Sequence, residues 1–289
     1  MSVCIVDGVG EIAGDYDGYI VDLWGVVHDG AKPFPGVLDA FGRLREAGKR
    51  VVLLSNAPRR IEGVAERLVE IGVARGAYDG LMSSGEETWR HLAERPDDWY
   101  RNLGRACFHI GPERDRDIRE GLDLDFVGSI KAADFLLDTG TWRDEDAIED
   151  YDALLGDAVS RKLPMVCANP DRIVVRTGVP ELCAGAIAER YEGLGGEVRW
   201  HGKPHASVFE ACFELLGVGD TRRILCAGDS LTTDIQGANG VGIAALLVTT
   251  GIHSDLLSDG HGAPDAARIE EATAEAGVVA TYAATGFRW

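Results

Sequence analysis

Asp22 closes the apolar run GYIVD. Ser55 and Asn56 close RVVLLSN, Lys203 stands in GEVRWHGKP, and Asp229 and Asp234 follow ILCAG. Phosphoryl transfer to a protein carboxylate needs these residue types: a nucleophile ionised at neutral pH, a cation that neutralises phosphate oxygens, and donors that hold them. Asp22 is expected to be the nucleophile. Asp22 and Asp229 form a carboxylate pair suited to Mg²⁺, which takes oxygen ligands and keeps several waters. Lys203 is expected to offset the two negative charges and meet the phosphate, while Ser55 and the Asn56 backbone donate hydrogen bonds. Each residue also has a plainer reading, as a strand-end cap, a turn, a surface charge or a helix N-cap. Four such loops in order at four strand ends favour a site.

The loops converge only if the strands run parallel, because ligands then bind beyond their carboxyl ends. Short β-rich apolar runs do alternate with helical patterns, which predicts a parallel sheet covered by helices. GYIVD leads through Pro33 and Pro35 into Val37, Leu38, Phe41 and Leu44 at helical spacing, with Gly48 as the stop. RVVLLSN reads as a buried strand, residues 58–72 as a helix, DGLMSSG as a strand, and the following residues to about 95 as a helix. The polar stretch AERPDDWYRNLGR marks a boundary near 101–104. Beyond it RACFHIG, LDFVGS, ADFLLDTG, PMVCANPD and RIVVR read as strands, 144–162 as an acidic amphipathic helix and 181–194 as a helix. GEVRWHGKP, RRILCAGDS and GIAALLVTTG return as strands around the helix SVFEACFELLG, and PDAARIEEATAEAG reads as a surface helix.

The chain has 289 residues, 45% of them hydrophobic, enough for one large domain or two ordinary ones. Its 29 Lys and Arg against 48 Asp and Glu give a net charge of −19, a field that opposes nucleic acid or an acidic membrane as partner. No basic n-region with an apolar core opens the sequence, and no apolar run nears the roughly 20 residues of a membrane helix, so a cytoplasmic protein is expected. The six cysteines lack a Cys-x-x-Cys pair and read as small buried hydrophobes. A homodimer is compatible with the sequence.

DLWGVV, LLSNAPRR, HGKP and GDSLTTDIQGANGVG resemble, in order, the four motifs of the haloacid dehalogenase (HAD) superfamily. The roughly 100 residues between SNAP and GKP resemble the α/β cap of its class IIA members. ANPD at 168–171 followed by CAGAIAERYE is similar to the cap of phosphatases related to p-nitrophenyl phosphatase, phosphoglycolate phosphatase and pyridoxal phosphatase. The resemblance implies a Rossmann-like α/β core in two parts, 1–102 and 200–289, with an inserted α/β cap at 103–199. It further implies Asp22 as nucleophile, Ser55 and Lys203 as phosphate contacts, and Mg²⁺ held by Asp22, the Trp24 carbonyl and Asp229, with Asp234 orienting from behind. The activity implied is that of a Mg²⁺-dependent phosphatase acting on small-molecule phosphates, sugar or aryl, through an aspartyl-phosphate.

One position departs from the pattern. Most HAD phosphatases carry a second aspartate two residues after the nucleophile, as general acid and base, where this chain has Trp24. A metal contact through the backbone carbonyl survives that change. Proton transfer does not, because indole has no group that titrates near neutral pH. The expectation is a weak or selective phosphatase, poorest with alkyl leaving groups; His28 and Asp29 are the nearby substitutes. DYDG at 15–18 looks closer to the usual motif but follows no apolar strand.

Three rival functions share parts of this pattern. A chain that keeps the nucleophile, metal ligands and lysine without the acid could instead bind phosphate ligands or hold a long-lived aspartyl-phosphate as a signal. GDSL at 228–231 spells a serine esterase signature, but it comes late, only DGH at 259–261 follows, and Thr232 breaks a G-x-S-x-G elbow. A dinucleotide dehydrogenase lacks its G-x-G-x-x-G turn. Arg59 and Arg60 are expected to be solvated, Asn169 and Asp171 to form a turn, Trp89, Trp99, Trp142 and Trp200 to pack, and His201 and His205 to be loop residues.

Overall fold

A computed structural model describes residues 3–176, 179–259 and 262–289; His261 of the DGH triplet lies outside them. The chain forms two compact units. The first comprises Met1–Ser55, Glu62–Met82 and Lys203–Trp289, and the second Asn56–Ile61 and Ser83–Gly202. No described helix is long and apolar enough to cross a membrane.

The first unit is built on a seven-stranded sheet with the spatial order Cys4–Ile5, Tyr282–Ala284, Ala244–Val248, Ile224–Gly228, Gly18–Asp22, Arg50–Ser55, Gly80–Ser83. From the first of these strands to Arg50–Ser55 every neighbour pairs parallel. Helices connect parallel strands and cover both faces, which is why the central strands read as unbroken apolar runs. Gly18–Asp22 is buried at every residue. Ile20, Val52, Leu54, Cys226 and Leu247 share one core with Val208, Phe209 and Cys212 of the helix Ala206–Leu216. Helix Val37–Glu46 buries Val37, Ala40, Phe41 and Leu44 and stops before Gly48, whose φ of +71° suits glycine.

Register does the positioning. Val21 lies opposite Ala227, and Asp22 opposite Leu54. Asp22 therefore ends its strand level with Gly228 and Leu54, and Asp229 and Ser55 come one residue later on the two flanking strands.

The second unit has its own parallel sheet in the order Val198–Trp200, Met165–Cys167, Phe135–Asp138, Ala106–Ile110, Asp125–Phe126. An antiparallel pair, Ile173–Arg176 with Val179–Leu182, accompanies it. One core gathers Leu136, Tyr151, Leu155, Ile187 and Tyr191, and another Leu92, Tyr100, Phe135, Leu137 and Val166.

Most elements fall where the apolar patterns predict them, with shifted ends. The acidic stretch 144–162 is the exception: only Asp152–Ser160 is α-helical, after a 3₁₀ turn at Ile148–Tyr151. Asp146 accepts from the Arg143 N–H at 3.0 Å and Asp150 from the Ala147 N–H at 2.9 Å. Such short acidic side chains draw the backbone out of a helix. The strands Cys4–Ile5 and Tyr282–Ala284 and the helix Asp98–Asn102 are too short to leave a periodic signal. Five of the cysteines are buried, as expected of small hydrophobes, and Cys4 is exposed.

Phe209 is fully buried, and a Cβ on Gly237 would lie 2.3 Å from its ring. Phe209→Ala opens a cavity that this contact helps define. It is expected to lower stability by about 3–5 kcal/mol, read as a lower urea midpoint at unchanged slope; a loss below about 1 kcal/mol contradicts the packing.

Candidate functional site

At the carboxyl edge of the first unit's sheet, the Lys203 ammonium donates to Asp22 Oδ1 and, at 2.7 Å, to Asp234 Oδ1. Asp22, Asp229 and Asp234 each bring a carboxylate oxygen within 4.8 Å of the others. All four side chains are buried, with Lys203 3% and Asp234 1% exposed. Asp234 rides on a π-type turn, Leu231–Ile235, after the strand Ile224–Gly228, a backbone form frequent at functional sites. It also accepts the Ser230 N–H at 3.2 Å, so Ser230 of the GDSL stretch belongs to this loop. Asp229 accepts the Ile252 N–H at 2.8 Å.

Three carboxylates face one ammonium, so the cluster carries excess negative charge. Burial pushes the Asp22 carboxyl well above the carboxylate range, and the charges of Asp234 and Asp229 add to this while Lys203 opposes it. Burial, then Asp234, pushes Asp229 up to about 7. Burial pulls Lys203 down, yet Asp22 and Asp234 together hold its ammonium well above the lysine range. A buried set of this kind is costly unless a further cation joins it.

The surrounding backbone packs closely against these carboxylates. A Cβ on Gly251 would lie 1.9 Å, and one on Gly25 2.0 Å, from Asp229 Oδ2. A Cβ on Gly228 would lie 2.1 Å from Asp234. Sequence reasoning did not single out these glycines, although Gly25, at φ +86° directly after DLW, was the visible signal. Hard oxygen donors with a net negative charge suit Mg²⁺. Within the loop, Val27 and His28 donate to the Leu23 carbonyl and Gly25 to that of His28; the Trp24 carbonyl accepts none of these bonds.

The Trp24 side chain is 43% exposed and meets the His28 ring edge to face, with centroids 5.7 Å apart. It lies over Gly30, where a Cβ would come within 2.6 Å of the indole. His28 is buried, and burial lowers its pKa to about 4. Its Nδ1 accepts the Gly30 N–H at 3.0 Å, and Asp29 caps the Ala31 and Lys32 amides at 2.9 Å each. Both residues are engaged in shaping the loop.

Ser55 ends the strand Arg50–Ser55, one residue past the partner of Asp22. Asn56 falls in the second unit, where its Nδ2 donates to Asp171 at 2.8 Å. Asp171 makes the expected turn through its N–H to Asn169 Oδ1 and gains this extra partner. The expectation for Arg59 and Arg60 is corrected. Arg59 pairs with the buried Asp115 at 2.9 Å, and Arg60 with the buried Glu86 at 2.7 Å while stacking on Trp89. His201 is a loop residue, as expected, and is also buried: it is 2% exposed and hydrogen-bonded to Tyr100.

A family model described as haloacid dehalogenase-like hydrolase matches residues 19–125, and a second, HAD-hydrolase-like, matches 200–276. A crystal structure of a haloacid dehalogenase-like hydrolase from Brucella suis 1330 is 34% identical, covers 98% of this chain and 100% of its own, and superposes with a TM-score of 0.82. A D-glycerol 3-phosphate phosphatase from Mycobacterium tuberculosis is 27% identical over 254 residues, 84% of this chain and 66% of that protein. Chronophin from Bos taurus is 29% identical over 263 residues, 84% of either chain. With a relative of this identity matching end to end, the chain belongs to the haloacid dehalogenase-like hydrolases, in their class IIA branch.

Proposed function

We propose that this phosphoric monoester hydrolase cleaves small-molecule phosphates through an aspartyl-phosphate on Asp22, without the usual side-chain acid. The observation that carries the reading is Lys203 bridging Asp22 and Asp234 inside a buried carboxylate cluster. In the proposed reaction an Asp22 oxygen attacks phosphorus as the ester oxygen departs, and water then attacks the aspartyl-phosphate to release inorganic phosphate. Lys203 neutralises phosphate oxygens, Asp234 holds the ammonium in place, and Ser55 with the Asn56 backbone donates hydrogen bonds to the phosphate. Asp22, Asp229 and the Trp24 carbonyl would hold Mg²⁺, which when bound supplies positive charge to the transferring group.

Trp24 sets the selectivity. A general acid contributes about 10²–10⁴ in rate, most for leaving groups that depart badly as anions. Aryl phosphates leave unassisted and alkyl phosphates do not. The M. tuberculosis relative is named for an alkyl ester, D-glycerol 3-phosphate, so that substrate is a natural comparison. The second reading, a phosphate-binding or phospho-signalling protein, is favoured by Trp24 alone.

With Mg²⁺ present, p-nitrophenyl phosphate is expected to turn over, glycerol 3-phosphate to lag by about 10² or more, and Asp22→Asn to remove both activities. Trp24→Asp is expected to narrow the gap by raising alkyl ester kcat/KM by about 10² or more. Equal rates for the two esters in the native chain contradict the account. Binding of Mg²⁺ and phosphate with no turnover of either ester supports the second reading.

Metal binding must also depend on pH. With Asp229 pushed up to about 7, the metal-free fold keeps a proton that the unfolded chain loses near pH 4. Above pH 4 the unfolded state therefore binds fewer protons, and this group's contribution falls as pH rises towards 7. Mg²⁺ competes with that proton. The rise in Tm on adding Mg²⁺ is expected to be larger at pH 8 than at pH 5.5, and the difference to shrink in Asp229→Asn; a pH-independent rise contradicts it.

A further inference from the structure

The second unit contains another converging set of ligand-type side chains, which the proposed reaction does not use. Glu87 and His91 stand four residues apart on one face of the helix Ser84–Glu94, and His201 follows the strand Val198–Trp200. One ligand atom from each comes within 4.8 Å of the other two. Glu87 and His201 are each 2% exposed, whereas His91 is partly exposed and offers a route in from solvent.

Glu87 and His201 each have one atom tied outward and turn another toward the other. His91 Nδ1 lies 2.9 Å from the Glu87 carbonyl, which leaves Nε2 as its lone-pair nitrogen. His201 Nε2 is hydrogen-bonded to the Tyr100 hydroxyl, while its buried Nδ1 makes no hydrogen bond to the described residues. Glu87 Oε2 accepts the Gly202 N–H at 2.8 Å, and Oε1 faces His201 Nδ1 at 3.3 Å. Metal-bound histidines characteristically anchor the second ring nitrogen on a carbonyl, carboxylate or other acceptor in this way. The 3.3 Å spacing also matches the edge of a tetrahedron about an ion with bonds of roughly 2.0–2.1 Å to nitrogen and oxygen.

We infer that Glu87, His91 and His201 form a binding site for one divalent transition ion of the zinc type, separate from the aspartate cluster. Two imidazoles and one carboxylate select borderline ions such as Zn²⁺ over Mg²⁺, which the all-oxygen cluster suits. A bound ion ties the helix Ser84–Glu94 to the segment that closes on Cys167 through the His201 N–H at 3.0 Å. That segment leads through Gly202 directly to Lys203. The competing account of the same geometry is a buried histidine–glutamate ion pair that holds no metal.

The test titrates Zn²⁺ calorimetrically into the chelator-stripped full chain carrying Asp229→Asn, so that the aspartate cluster is disabled, and into the same chain with His91→Ala added. One Zn²⁺ per chain is expected, with affinity falling by more than about 100-fold in His91→Ala, since even residues that only support ligands cost 10–100-fold. Co²⁺ in place of Zn²⁺ is expected to give visible d–d bands that His91→Ala loses. Glu87→Gln, which keeps an acceptor for Gly202, guards against a folding defect and is expected to weaken Zn²⁺ as well. No Zn²⁺ uptake, or uptake unchanged by both substitutions, overturns the site and leaves the ion pair.

Discussion

The carboxylate cluster at the carboxyl edge of the first unit's sheet depends on one buried ammonium group. Without Lys203, three buried acidic side chains would face one another, and protonation would relieve their repulsion. Lys203 keeps charge there by bonding Asp22 and Asp234, but it cannot balance all three. The remaining negative charge suits the hard cation that the proposed reaction needs, and with it the phosphate oxygens that a cation and a lysine together attract. Stability and function pull in opposite directions: the arrangement is costly to fold and effective only once its ligands arrive.

The sheet makes this arrangement possible by register rather than by rigidity of any one loop. Parallel pairing of Gly18–Asp22 with Ile224–Gly228 and Arg50–Ser55 aligns three strand ends to within one residue. The loops that follow are drawn tight by glycines whose backbones press on Asp229 and Asp234. Trp24 sits in this frame as a half-exposed ring resting on Gly30, a position that shapes the loop.

Much of this was legible in the sequence. Apolar runs ending in Asp22, Ser55 and Asp229 marked the strands, because a strand buried on both faces has no polar interruptions and its first polar residue marks its end. The partners of Lys203 were harder to read, since a contact across 181 residues leaves no local pattern. Glu87 and His91 look like ordinary polar positions of an amphipathic helix, and His201 like a loop residue. Their burial follows only from tertiary packing against Tyr100 and Gly202. Arg59 and Arg60 were misread for the same reason: their buried acidic partners lie 56 and 26 residues away.

The central claim is that Asp22 becomes phosphorylated and that no side chain at position 24 activates water to release it. Rapid-quench kinetics with p-nitrophenyl phosphate tests it most directly. The account predicts a burst of nitrophenol approaching one equivalent per chain, followed by slower steady turnover, with the burst lost in Asp22→Asn. Linear release from the first turnover, with no phosphate trapped on the protein, would contradict it.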